Sequence, residues 1–234
     1  MYLIVTRSFP PELGGMQSLM WGLAREMSKN FMIKVFADYQ DNHKEFDKKV
    51  NFSIERIGGI KFLRKIRKAQ LINEFLKENK VQGIIADHWK SLELIKTNKN
   101  KYCLIHGKEI NHPINSSQNK RIVKVLNNVE KVIANSEYTK NLAINNGVNS
   151  DKVIVINPGV DPVKELVKKS IDKVESLLKV KTPRLITVSR FDKRKNHEKV
   201  LMALRNLKQL YPDIIYICIG YGCLLYTSPS PRDQ

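Results

Sequence analysis

The run Ser189-Arg190-Phe191-Asp192-Lys193-Arg194-Lys195-Asn196 holds two bases suited to an anion. Arg190 can offer a phosphate a forked pair of charge-assisted hydrogen bonds, and Lys195 can add a compact positive charge. A basic loop is also ordinary solvated surface, and the residues alone leave both readings open. In His106-Gly107-Lys108-Glu109 the imidazole can hydrogen-bond a sugar hydroxyl or titrate, although a loop histidine is often simply solvated. Asp87-His88-Trp89 invites the same two readings. Phe9-Pro10-Pro11-Glu12-Leu13-Gly14-Gly15 ends in two glycines, which lack a Cβ and let backbone approach a ligand closely. A helix begins there, and its first N–H groups and positive dipole end favour an anion. The loop lacks the G-x-G-x-x-G dinucleotide pattern, which argues against a dehydrogenase. Ser136, followed by Glu137, reads as a helix N-cap. Asn157-Pro158-Gly159-Val160-Asp161-Pro162 reads as a turn.

The elements that must position these groups alternate between strand and helix. Tyr2–Thr6, Ile33–Ala37, Phe52–Ile57, Val81–Ala86, Tyr102–Ile105, Val132–Ala134 and Val153–Ile156 are short apolar runs expected to be strands. Met16, Leu19, Met20, Leu23 and Met27 recur at helical spacing. Further helices are expected over 61–79, about 118–128 and 137–146. This rhythm predicts a parallel sheet covered by helices on both faces. Residues 163–184 read as a connector, charged and helical. A second unit follows, with strand Leu185–Val188, helix His197–Leu210 and strand Ile214–Ile219. The chemistry-bearing loops therefore follow strands, at the carboxyl ends where open α/β sheets place ligands.

Composition narrows the class. Lys and Arg total 41 against 23 Asp and Glu, a formal charge of +18. That field favours phosphates, acidic headgroups or nucleic acid, although an AT-rich genome also yields Lys- and Asn-rich chains. Nucleic-acid binding predicts aromatics interleaved with bases on one surface, whereas the aromatics here fall in apolar strands and helices. Three cysteines, Cys103, Cys218 and Cys223, are too few for a disulfide framework or zinc cluster. Mean hydropathy is −0.35 and no run approaches a membrane span. Tyr2–Thr6 is too short for a signal-peptide core. The expectation is a cytoplasmic protein.

The order of these motifs strongly resembles retaining glycosyltransferase family 4, which has the GT-B plan of two facing Rossmann-like domains. The matching residues are Val5-Thr6, Phe9-Pro10-Pro11 with Gly14-Gly15, His106-Gly107 with Glu109, Ala134-Asn135-Ser136, Ile156 to Asp161, and Ser189-Arg190 with Lys195. Gly220-Tyr221-Gly222 looks like the start of the family's next glycine turn. Phe9 to Gln17 is similar to loops of mannosyltransferases that act on phosphatidylinositol. The resemblance implies a nucleotide-sugar donor, a lipid-linked or saccharide acceptor, no nucleic-acid partner, no bound cofactor and no metal. It implies that His106 contacts the transferred sugar and that Gly15, Arg190 and Lys195 receive the donor phosphates. Gly14 and Glu109 would border the acceptor or sugar. A sugar-nucleotide epimerase of the same architecture is the alternative, and its acid/base carboxylates cannot be located here. The family's paired glutamates, further into the second domain, have no counterpart in this sequence.

The expected organisation is a Rossmann-like domain over 1–162, the connector 163–184, and the start of a nucleotide-sugar domain over 185–222. Back-translation of residues 223–233 reproduces a transposase adapter used in sequencing libraries. The natural sequence is therefore expected to end at Gly222, and the chain alone to be inactive; a genuine Pro/Ser tail is the alternative. The 61–79 helix is expected to pack Phe62, Ile66, Ala69, Ile72, Phe75 and Leu76 on one face. Lys61, Arg64, Lys65, Arg67 and Lys68 then form a basic rim, either simply solvated or docked on an anionic membrane at its inner face.

Overall fold

The computed structural model describes residues 1–162, 165–178 and 181–220. Tyr221, Gly222 and the adapter-like tail lie outside the described residues. The chain divides into two compact units, the first ending at Asp161 and the second starting at Pro162.

The first unit alternates as the periodicity predicts. Its strands are β1 (Tyr2–Val5), β2 (Ile33–Asp38), β3 (Ser53–Ile57), β4 (Gly83–Ala86), β5 (Asn100–Ile105), β6 (Lys131–Ala134) and β7 (Val153–Val155). Its helices are α1 (Gly15–Ser28), α2 (His43–Asp47), α3 (Lys61–Glu78), α4 (Trp89–Leu92), α5 (Ser117–Asn127) and α6 (Glu137–Asn145). The seven strands form one parallel sheet in the order β3-β2-β1-β4-β5-β6-β7. Alternate residues of each strand serve opposite faces. Leu3 and Val5 join Phe36, Ile72, Ile84, Ile105, Ile122 and Leu126 in one buried cluster. Ile4 joins Phe9, Met20, Ala24, Val35 and Ala37 in the other. Burial on both faces explains why these strands read as continuous apolar runs.

Local signals set the helix ends. Ser116 and Ser136 cap α5 and α6, their hydroxyls accepting the N–H of Asn119 and Thr139 at 3.1 and 3.3 Å. The α6 helix stops at Gly147, whose φ of +101° favours glycine. There Gly147 N–H donates to Ile144 O and Val148 N–H to Ala143 O, a Schellman closure.

One expectation needs correction. On α3 the buried residues are Lys68, Ala69 and Ile72, while Phe62 is 72% exposed. The first turn of α3 stands beside loops past the strand ends, so Phe62 meets no sheet. Nor is the basic rim free. Lys68 is buried, donating to Thr6 O at 2.7 Å and to Asp38, while Arg64 pairs with Asp38 and Lys65 with Glu93. The short helices α2 and α4 had no sequence expectation, since a single turn cannot show periodicity.

In the second unit α7 (Lys168–Leu178) precedes a βαβ unit of β8 (Arg184–Val188), α8 (His197–Leu210) and β9 (Ile215–Ile219). The two strands pair in parallel. A Cβ at Gly220 would lie 1.8 Å from Ser189 O, so only glycine permits that approach.

The two ends of α3 make the packing testable. Ile72→Ala should lower the unfolding free energy by about 2–5 kcal/mol, and Phe62→Ala by less than about 0.5 kcal/mol. Urea unfolding measures both, and comparable losses would contradict the assigned core face.

Candidate functional site

The sheet order reverses at β1, which pairs with β2 on one side and β4 on the other. Loops leaving β1 and β4 diverge there and open a crevice at the strands' carboxyl ends, where doubly wound sheets take ligands. Thr6 to Gly15, Asp87 to Trp89, His106 to Glu109 and Asn135-Ser136 all lie along this edge.

A buried carboxylate holds the crevice floor. Asp87 Oδ2 accepts the Thr6 hydroxyl at 2.7 Å and the Arg7 N–H at 2.9 Å, and Oδ1 accepts the Ser91 hydroxyl at 3.3 Å. Burial pushes the Asp87 pKa up, against the Arg7 N–H and Thr6 hydroxyl, which favour the carboxylate. Burial likewise lowers the Lys68 pKa, opposed by Asp38. The sequence singled out Asp87, named Thr6 only as a matching residue and Lys68 only in the basic rim, and missed Asp38. Thr6 and Asp38 were findable as polar residues ending apolar strand runs. Lys68 was not, because its role depends on distant residues.

The two histidines differ. His88 Nδ1 accepts the Lys90 N–H at 3.0 Å, which leaves the proton on Nε2. Burial first, then Arg7 and Lys90, push its pKa down from the ordinary 6.5 to about 3, so it is neutral at pH 7. His106 instead presents a buried Nε2 with no hydrogen-bond partner among the described residues. Its loop is fixed from beneath. Glu109 Oε1 accepts the His106 N–H at 2.5 Å, and Glu109 O accepts Trp89 Nε1–H at 3.1 Å. Gly107 turns the chain there with φ +101°. One Glu109 oxygen thus serves the loop itself. An orphaned buried polar atom is rare in a folded protein and calls for a reason.

The Phe9–Gly15 loop is braced on its far side. Phe9 is buried edge-on to Trp21 and Phe46. Arg56, ion-paired to Asp47 at 2.7 Å, donates to Pro10 O at 2.6 Å. Glu12 takes hydrogen bonds from Gln17 and Gln40, each at 2.9 Å. Gly14 precedes α1 without a side-chain cap, leaving first-turn N–H groups for a ligand. A Cβ at Gly15 would meet nothing within 4 Å, so the space above it is open.

In the second unit, Arg190 and Lys195 are exposed, at the carboxyl end of β8 and in the turn that enters α8. His197, which sequence reasoning passed over as a helix start, organises this loop. It stacks on Phe191 with centroids 4.8 Å apart, and its Nε2 lies 3.1 Å from Ser189 Oγ and 3.4 Å from Arg190 O. The ring's other nitrogen lies 3.4 Å from the Tyr216 hydroxyl, which donates to Thr187. The first unit thus brings Gly14, Gly15, His106 and Glu109 to one edge, and the second gathers Arg190 and Lys195 on one loop. Among the described residues no three His, Cys, Asp or Glu side chains gather as a metal site requires. No helix there is long and apolar enough to cross a membrane.

Residues 13–164 match the family described as Glycosyltransferase Family 4. No curated protein sequence matches the chain. Among solved structures, Anabaena Alr3699/HepE in complex with UDP and glucose is similar at 19% identity and TM-score 0.73, over 97% of this chain and 62% of that one. A glycosyltransferase from Rickettsia africae is similar at 22% identity and TM-score 0.72, over 94% and 60% respectively. These likenesses establish the expected α/β, GT-B-type fold. The chain spans about three fifths of the length of either structure.

The environment of His88 gives a pH test. Its folded pKa lies below the unfolded value, so acid protonates the unfolded chain first. The stability involved is complete above pH 6.5 and is lost as pH falls from there toward about 3. At pH 5 the loss should be roughly 2 kcal/mol, at about 1.36 kcal/mol per unit. In His88→Asn, whose amide oxygen can still accept the Lys90 N–H, that slope should flatten. Denaturant titrations between about pH 7 and 5 measure it, and identical slopes would contradict the assignment.

Proposed function

The chain belongs to glycosyltransferase family 4, and on that premise we propose that it serves a retaining transfer of a hexose from a nucleotide sugar to a lipid-linked or saccharide acceptor. The observation that carries the proposal is the unpartnered Nε2 of His106, buried at the carboxyl end of β5 on a loop that Glu109 and Trp89 hold fixed. A sugar hydroxyl would satisfy that nitrogen. The Anabaena protein in complex with UDP-glucose supports a uridine nucleotide donor. Family membership favours transfer over the epimerase alternative, and nucleic acid has no role in this reading.

In the proposed step the bond between the anomeric carbon and the donor phosphate oxygen breaks as the acceptor hydroxyl bonds to that carbon on the same face, and the hydroxyl proton passes to the departing phosphate oxygen. Negative charge grows on the departing diphosphate. The free N–H groups at Gly15, together with Arg190 and Lys195, neutralise it, and interactions that strengthen with developing charge accelerate the step. The basic pair supplies the positive charge, so the reading needs no metal. Gly14 and Glu109 border the sugar and acceptor. Ile60, Phe62 and Leu63 are exposed beside Lys61 and Arg67, which supports peripheral contact with an anionic membrane on the cytoplasmic side.

The 234 residues alone are expected not to turn over. Ile186 and Val188 of β8 are 61% and 72% exposed, which supports a second unit that is marginal by itself. Transfer is therefore tested on the protein expressed from its genomic locus, with a panel of nucleotide sugars and the product anomer read by NMR. Arg190→Ala and Lys195→Ala should each lower kcat by about 10²–10³-fold, the scale of one lost electrostatic donor. Near-normal turnover by both variants, or product of inverted configuration, would overturn the proposal.

A further inference from the structure

Beside Arg7 the crevice deepens into a cavity of about 120 Å³, between the loops that follow β1 and β4 and the first half of α3. Six cations line it, Arg7, Lys61, Arg64, Lys65, Lys68 and Lys90, against one lining carboxylate, Asp38. Asp38 is already shared by Arg64 and Lys68, and neighbouring Glu93 by Lys65 and Arg121. No ion pair among the described residues engages Arg7, Lys61 or Lys90. Buried Asp87 also acts on Arg7 and Lys68, yet positive charge stays in excess, and three separate segments converge to assemble it. Burial, then repulsion from Arg7, Arg121 and Lys65, lowers the Lys90 pKa, as expected of an ammonium crowded by like charge.

Like charges gathered in one concave site cost free energy unless an anion occupies it. A site that holds one water needs only about 10–15 Å³ of such space, so the cavity has room for a phosphate. The floor is rigid, since Arg7 is anchored through its N–H to Asp87, and Lys68 through Thr6 O. The ion-paired Arg64 and Lys65 hold fixed positions on α3, and Lys61 and Lys90 complete the lining. Donor phosphates are already provided for at Gly15, Arg190 and Lys195 in the proposed transfer.

We propose that this cleft binds a phosphate group carried by the acceptor, so that the transferase acts on a phosphorylated acceptor. This rests on the first unit being the acceptor side. A lipid phosphodiester and a soluble sugar phosphate share the recognised chemistry.

Binding is measured directly on the 234-residue chain, independently of sugar transfer. Inorganic phosphate is titrated by NMR into the wild type, into Lys61→Gln/Lys90→Gln, and into the remote control Lys169→Gln/Lys173→Gln, with thermal melts confirming folding. The cleft variant should bind phosphate at least about tenfold more weakly, while the control stays at the wild-type value and added salt weakens wild-type binding. Phosphatidylglycerol and phosphatidylcholine vesicles form the second arm. Loss of phosphate binding together with loss of binding to anionic but not neutral vesicles in the cleft variant supports a lipid source, and loss of phosphate binding without any vesicle effect supports a soluble one. Equal phosphate affinity in wild type and cleft variant would overturn the proposal. Phosphate binding without sugar transfer by the locus-expressed protein would refute the transferase reading and leave the cleft standing. Transfer to an unphosphorylated acceptor, unchanged in the cleft variant, would do the reverse.

Discussion

The carboxylate of Asp87 is the interaction on which the crevice depends. In a parallel sheet that reverses its winding, the adjacent loops at the carboxyl ends of β1 and β4 must separate. Without a tie, that opening would leave strand-end N–H groups unsatisfied and the loops free to drift. Asp87 spans the gap, taking the Thr6 hydroxyl, the Arg7 N–H and the Ser91 hydroxyl from both sides. On the other flank Lys68 bonds Thr6 O and Asp38. Buried polar groups left unpaired are costly, whereas here each has several partners, so the network rigidifies its surroundings.

The remaining groups take their places from that frame. The fixed Thr6–Arg7 segment launches the Pro10-Pro11 loop, which Arg56 and Glu12 brace so that Gly14 and Gly15 meet the crevice. Trp89, next to the tie, is buried and donates to Glu109 O, which links the β4 loop to the His106 loop. Glu109 in turn holds the His106 main chain, leaving its Nε2 buried and unsatisfied. The loop around that nitrogen is hydrogen-bonded in place, while the nitrogen itself has no partner among the described residues. The second unit repeats the logic on its own scale, with His197 joining Ser189, Arg190 O and Tyr216 beneath two exposed bases.

Much of this was legible in the sequence, because parallel strands buried on both faces write themselves as apolar runs. Every described strand was expected to within two residues at either end. The cap at Ser136 uses local chemistry that three or four residues display; the cap at Ser116 and the stop at Gly147 use the same kind of chemistry but were not singled out. Long-range contacts were not legible. The periodicity of α3 put Phe62 in the core and Lys68 on a solvated rim, and the structure exchanges them. Periodicity reports a helix face but not where the sheet beneath it ends. Nor does it reveal that Thr6 O and Asp38 wait to receive an ammonium. The tie at Asp87 joins residues about eighty positions apart, and no local pattern encodes it.

The central claim is that the unsatisfied nitrogen of His106 receives a hydroxyl of the donor's sugar. The most direct measurement is imidazole nitrogen NMR of the protein expressed from its genomic locus, with His106 assigned by mutation, during titration with UDP-glucose and separately with UDP. The His106 Nε2 resonance should move on adding UDP-glucose and stay nearly in place with UDP, which lacks the sugar. Saturation with UDP-glucose that leaves this resonance unmoved, or an equal movement with UDP alone, would contradict the claim.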